Sequence, residues 1–195
     1  MNKNLKKYGL IALSFGALLL FFKNNYTKKI VNFAKKWVGV KTDKGNTKFT
    51  SAEMENLMKK IGWNQFDQWC MDFVKMVYYN AYKGNSIMQN IIQNTFNYSS
   101  QLSFEAVKNG KDLPFEITTN PAVGDILIFQ RKSKKTQGHA GIITKVKDGA
   151  YVETIEGNTG SNQGNGHWVM NKTRPYSIGA GIGSDLYVRG IIHRK

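Results

Sequence analysis

The sequence predicts an α+β domain, and three observations carry that expectation. Apolar residues recur at helical spacing through the first half of the chain. After Pro114 the pattern changes to short β-type runs. The breaks between those runs are short loops rich in Gly, Asn and Lys. Helices first and a mostly antiparallel sheet afterwards give one layer packed on the other.

Taken in order, the chain opens with a basic start, MNKNLKK, followed by the almost wholly apolar stretch Tyr8–Phe22. Fifteen helical residues span about 22 Å, short of the ~30 Å of a hydrocarbon core, a gap that snorkelling of Lys7 and Lys23 can close. An uncleaved membrane anchor is the expectation for residues 1–26. A secretory signal peptide and a buried core helix are the alternatives; no small-x-small cleavage site follows the run. Residues 27–48 form a basic amphipathic linker. Its first part, TKKIVNFAKKWVGV, sets Ile30, Val31, Phe33, Ala34, Trp37 and Val38 against lysines, as a helix lying on the membrane or packing on the domain. KTDKGNTK then reads as a polar tether, and the globular domain is expected over 49–195.

Within that domain, Thr50 with Glu53 suggests a capping box opening the helix SAEMENLMKKIG, which Gly62 ends. A second helix starts at Cys70 and runs to about Tyr82. Ile87, Ile91, Ile92 and Phe96 suggest a third, and Phe104–Asn109 a short helical turn. Five strands follow: Asp125–Gln130, Ala140–Val146, Tyr151–Glu156, Trp168–Lys172 and Leu186–His193.

Composition limits the function classes. The formal charge is +15, but residues 1–48 carry +10 of it and the rest only +5. A basic excess beside an apolar run points to a membrane surface rather than a nucleic-acid groove, so no nucleic-acid partner is expected. The single cysteine excludes an internal disulfide. No zinc-type spacing, phosphate-cradling loop or dinucleotide fingerprint is present, and no cofactor is expected.

The lone Cys70 begins a helix whose apolar face carries Phe73, Val74, Val77, Tyr78 and Ala81. A thiol there meets unpaired N–H groups and the positive end of the macrodipole, which favour the thiolate. A buried structural cysteine is the alternative reading. His139 stands at the start of one strand, Glu156 at the end of the next, and Asn158 two residues on. If those strands pair through Lys147–Ala150, β geometry alone brings His139 near Glu156. A thiol, an imidazole and a carboxylate or amide supply a nucleophile, a base and a group that orients the base.

WCMDFV, the segment Pro121 to Ile126 with Phe129, GHAGII, TIEGN and the closing VRGII, in that order, resemble the CHAP domain (cysteine, histidine-dependent amidohydrolase/peptidase) of the papain-like, NlpC-type group. The resemblance covers residues from about 50 to 195. It implies a papain-like fold with helices on a sheet, Cys70 as nucleophile, His139 as its base, and Glu156 with Asn158 orienting the imidazole. It also implies amide bonds of bacterial peptidoglycan as substrate. Asp67 is the only acid in IGWNQFDQW, where many relatives carry an aspartate-rich calcium loop, so no metal site is expected. Gln65 and Gln68 are the side-chain candidates for the oxyanion hole, beside a backbone amide. The resulting expectation is a monomeric, membrane-anchored or exported wall hydrolase with its catalytic domain outside the cytoplasm, acting in lysis or wall remodelling. The competing readings are a non-catalytic wall-binding or virion module on the same fold, and the same thiol chemistry on another amide.

Overall fold

The computed structural model describes residues 25–160 and 167–195. The apolar run Tyr8–Phe22 lies outside them, and among the described residues no helix is long and apolar enough to cross a membrane. Those residues form five helices and one sheet: α1 (residues 25–35), α2 (Ala52–Lys60), α3 (Cys70–Ala81), α4 (Ser86–Thr95) and α5 (Ser100–Asn109), then β1 (Phe115–Thr118), β2 (Ile126–Arg131), β3 (Gly138–Val146), β4 (Tyr151–Gly160), β5 (His167–Pro175), β6 (Gly181–Ile182) and β7 (Leu186–Arg194). The sheet runs β1-β7-β2-β3-β4-β5 with β6 beside β7, and its pairings are antiparallel. The α+β class and the five long strands agree with the sequence pattern; β1 and β6 are additions too short to show a period.

The main core lies between the sheet and α3. Met71, Phe73, Val74 and Val77 from the helix meet Ile126, Ile128, Ala140, Ile142, Ile155, Val169 and Ile192 from the strands. Because α3 is apolar on nearly every side, it is sandwiched rather than half exposed, with α1, α2 and α4 closing over it. The other sheet face carries a smaller cluster of Leu127, Phe129, Ile143, Val152, Val188 and Ile191.

Residues ahead of 49 belong to this packing. Ile30, Ala34 and Trp37 are buried in the main core, and Tyr26 stacks on Tyr82 with ring centroids 4.2 Å apart. Of the two placements open to α1, packing on the domain is the one observed. In the stretch KTDKGNTK, Thr42 and Asn46 are buried, and Lys41 and Thr42 bridge to Trp168 and Phe49.

Two local details differ from expectation. The cap of α2 is Ser51, whose hydroxyl accepts from the Met54 N–H at 3.2 Å, because Thr50 bonds the Lys41 backbone and Glu53 pairs with Lys36. The turn expected at 104–109 is a full helix, α5, capped by the Ser99 hydroxyl.

Candidate active site

Cys70 is the first helical residue of α3. No side chain caps that helix, so its start is fixed by the residue before it. Trp69 is fully buried, packs edge-on against Phe49 at 5.0 Å, and donates its Nε1–H to Asn46 Oδ1 at 3.3 Å. The same oxygen accepts from Thr42 Oγ1 at 2.8 Å and lies 3.0 Å from His167 Nδ1. Asn46 also donates through Nδ2 to the Asp67 carbonyl, and its own carbonyl accepts from the Phe66 N–H. One asparagine, itself left-handed with φ 56°, thus ties the 41–48 stretch to the loop that delivers Cys70.

The strands bring the other groups to the same point. β3 and β4 pair as the hairpin through residues 147–150, with Ile142 opposite Ile155 and Ile143 opposite Thr154. Two glycines make the approach possible. A Cβ at Gly141 would come within 2.6 Å of Glu156 Cγ, so only a bare Cα lets the carboxylate reach across β3. A Cβ at Gly157 would strike the Trp69 ring and Phe73, both at 2.6 Å, so β4 rests directly on the first turn of α3.

His139 lies between thiol and carboxylate. Its Nε2 is 3.0 Å from Glu156 Oε2, and Cys70, which lines the same cleft, acts on its charge, with Nδ1 the ring nitrogen left for the thiol. Phe129 stacks on the imidazole with centroids 6.0 Å apart.

Glu156 is fully buried, and both its oxygens are engaged. Arg174 binds it in a fork, Nε to Oε1 at 2.8 Å and Nη2 to Oε2 at 2.7 Å, and Thr154 donates to Oε1 at 2.7 Å. Arg174, missed by the sequence reading, also lies over the Phe129 ring at 5.8 Å.

The electrostatics follow from these contacts. Burial is the largest influence on His139 and works against its charge, but its interactions with Cys70 and Glu156 together prevail and raise its pKa to about 10. Burial likewise pushes Glu156 upward, and the hydrogen bonds from Arg174 and His139 overcome it, holding the carboxyl at about 2. At neutral pH this is a charged imidazolium beside a charged carboxylate.

Asn158 lines the same cleft but has a different partner. It sits left-handed with φ 55° where the β4–β5 register slips, and its Nδ2 donates to Gln68 Oε1 at 2.6 Å. Its Oδ1 is buried without a partner. Of the two glutamines considered for the oxyanion hole, Gln68 lines the cleft beside Cys70, whereas Gln65 donates to the Thr47 carbonyl. The cleft, about 780 Å³, is large enough for a few sugar or peptide units. Among the described residues, no group of three or more His, Cys, Asp or Glu side chains could hold a metal ion.

No curated protein matches the chain. A family model described as CHAP domain matches residues 61–158, half the chain and all four expected site residues. Domains of this kind are in general hydrolytic, of the amidase or peptidase type, with peptidoglycan as the implied substrate. With that match added to a helix-borne cysteine facing a strand-borne histidine, the chain belongs to the CHAP domain family.

Proposed function

We propose that this chain is a cysteine-dependent hydrolase that cuts an amide bond of bacterial peptidoglycan. The observation that carries this is the position of His139, which lines the cleft with Cys70 and lies 3.0 Å from an oxygen of a buried, fully engaged carboxylate. Cys70 sulfur attacks the amide carbonyl carbon, forming a C–S bond as the carbonyl electron pair moves to oxygen. The resulting oxyanion meets the first-turn N–H groups of α3, which lack intrahelical acceptors, and the side-chain amide of Gln68. The tetrahedral intermediate collapses, the C–N bond breaks, and imidazolium gives its proton to the departing amine. Neutral His139 then takes a proton from water, whose hydroxide attacks the thioester carbon. That second adduct collapses, the C–S bond breaks, the acid is released, and Cys70 and His139 return to their starting state.

Glu156 acts throughout by holding the ring and stabilising its charge. Asn158 acts one step removed, holding Gln68 by its Oε1 so that the amide N–H₂ remains for the oxyanion. The reading is tested by measuring new amino groups released from purified cell-wall material. Release that depends on the intact chain is expected; wall bound but left uncut points to a binding module.

The same reading places the domain outside the cytoplasm, tethered through Tyr8–Phe22, because its substrate lies there. Fractionation of the full-length chain and protease access in intact spheroplasts test this. A soluble, uncleaved chain, or a domain shielded from protease, contradicts it.

A further inference from the structure

Phe66 stands four residues before Cys70, on the rim of the cleft. Two of its properties run against stability. Its backbone is left-handed, φ 72°, a conformation that bulky residues rarely adopt. The residue is also 72% exposed, so burial returns little for the strain. The backbone N–H bond to the Asn46 carbonyl holds it there. Tyr98, between α4 and α5, lines the same cleft and is 64% exposed. Strain retained next to a reactive group, with an aromatic ring left facing solvent, marks a surface kept for a ligand.

The chemistry of the cleft narrows that ligand. Among the described residues that line the cleft, two are arginines committed elsewhere, Arg131 to Asp185 at 2.7 Å and Arg174 to Glu156, and none is a lysine. Free carboxylates of a stem peptide therefore find few uncommitted cations among the described residues. Two exposed rings remain, and a flat aromatic face suits the C–H face of a pyranose ring, whose hydroxyls stay at the edge and in water.

We infer that Phe66 and Tyr98 are sugar-stacking subsites that seat the glycan strand beside Cys70. On the hydrolase reading, on which this rests, the bond presented is then the amide joining the lactyl group of the glycan to the stem peptide, rather than a peptide crosslink. Cleavage leaves a carboxylate on the lactyl group and a free amine on the stem peptide.

The test uses the full-length chain with wall glycan stripped of its stem peptides, in salt strong enough to screen its positive charge. Wild type should cosediment, and Phe66→Gly and Tyr98→Ala should each bind about tenfold more weakly. Glycine accepts the left-handed backbone, so Phe66→Gly should melt no lower than wild type. A ring needed only for structure gives a lower melting temperature instead. Mass spectrometry of products from intact wall should show stem peptides with a new amino terminus. Wild type that ignores stripped glycan, Phe66→Gly that binds it undiminished, or products cut only at crosslinks overturn the inference. A wild type that binds glycan but releases no amine sinks the hydrolase reading alone.

Discussion

The two sides of the cleft are built on different terms. On the strand side, His139, Glu156, Thr154 and Arg174 sit on paired β-strands, and both carboxylate oxygens have donors. On the loop side, Gln68, Phe66 and Asn158 depend on irregular backbone, with two left-handed residues and a buried Asn158 Oδ1 lacking a partner. The strand side is settled before substrate arrives, as charge stabilisation requires. The loop side keeps unmet capacity, which a substrate can meet. The difference suggests that the strand side holds and charges the imidazole, while the loop side supplies the oxyanion and ligand contacts.

Substitutions can break this contrast, and the largest effect belongs to the nucleophile. Cys70→Ser should keep the fold by circular dichroism and lose about 10³-fold or more in amine release, since a hydroxyl is not ionised by such an imidazole.

Next comes Glu156→Gln, with a loss in turnover of about 10²–10³-fold and little change in KM. Asn158→Ala acts through Gln68 alone and should cost about tenfold. The reverse ranking in single-variant kinetics would move the decisive contact to the loop side. Glu156→Gln should also shift the pH profile. The carboxylate helps raise the pKa of His139, so the alkaline limb of activity should fall at lower pH in the variant.

Stability should divide in the same way. Arg174→Met leaves a buried carboxylate without its main counter-charge and should cost about 3–5 kcal/mol in denaturant unfolding. The double variant with Glu156→Gln should lose less than the sum of the two single changes. On the loop side, Asn46→Gly keeps the left-handed backbone but removes the acceptor shared by Thr42, Trp69 and His167, at about 1–3 kcal/mol.

Stability of the wild type should also depend on pH. The folded pKa of His139 is raised from 6.5, so its contribution is fully present below about 6.5 and is lost as pH rises through about 10. Glu156 is lowered, so its contribution is present above 4.5 and lost as pH falls through about 2. Stability should therefore be greatest between about pH 4.5 and 6.5, fall through neutral pH toward about 10 and fall again on the acid side, and Glu156→Gln should flatten the acid decline.

The strand side was the more legible in sequence because β geometry is regular. Residues either side of the Lys147–Ala150 turn had to meet, which placed Glu156 against His139. Arg174 lies beyond residues 61–158, which the family model matches, although a signal was available. Only four of the 28 Lys/Arg residues are arginine, and Arg131, Arg174 and Arg189 each pair with a carboxylate. In a lysine-rich chain, arginine marks places that need a rigid fork of donors.

The loop side was opaque for the opposite reason. KTDKGNTK has the composition of a tether, and nothing in it distinguishes Asn46, whose side chain gathers three donors only through chain segments far apart in sequence. Asn158 was expected at the imidazole. The register slip after Glu156 and its left-handed backbone put it against Gln68 instead, and neither feature has a sequence period.

The most direct measurement exploits the single cysteine. Full-length protein is alkylated in steps with iodoacetamide, the modified fraction is read by intact mass, and amine release from purified cell wall is measured at each step. If Cys70 is the nucleophile, release falls in proportion to the unmodified fraction and reaches background when every molecule is modified, with the circular dichroism spectrum unchanged. Folded, fully alkylated protein that still releases amines from the wall contradicts the assignment of Cys70 as nucleophile.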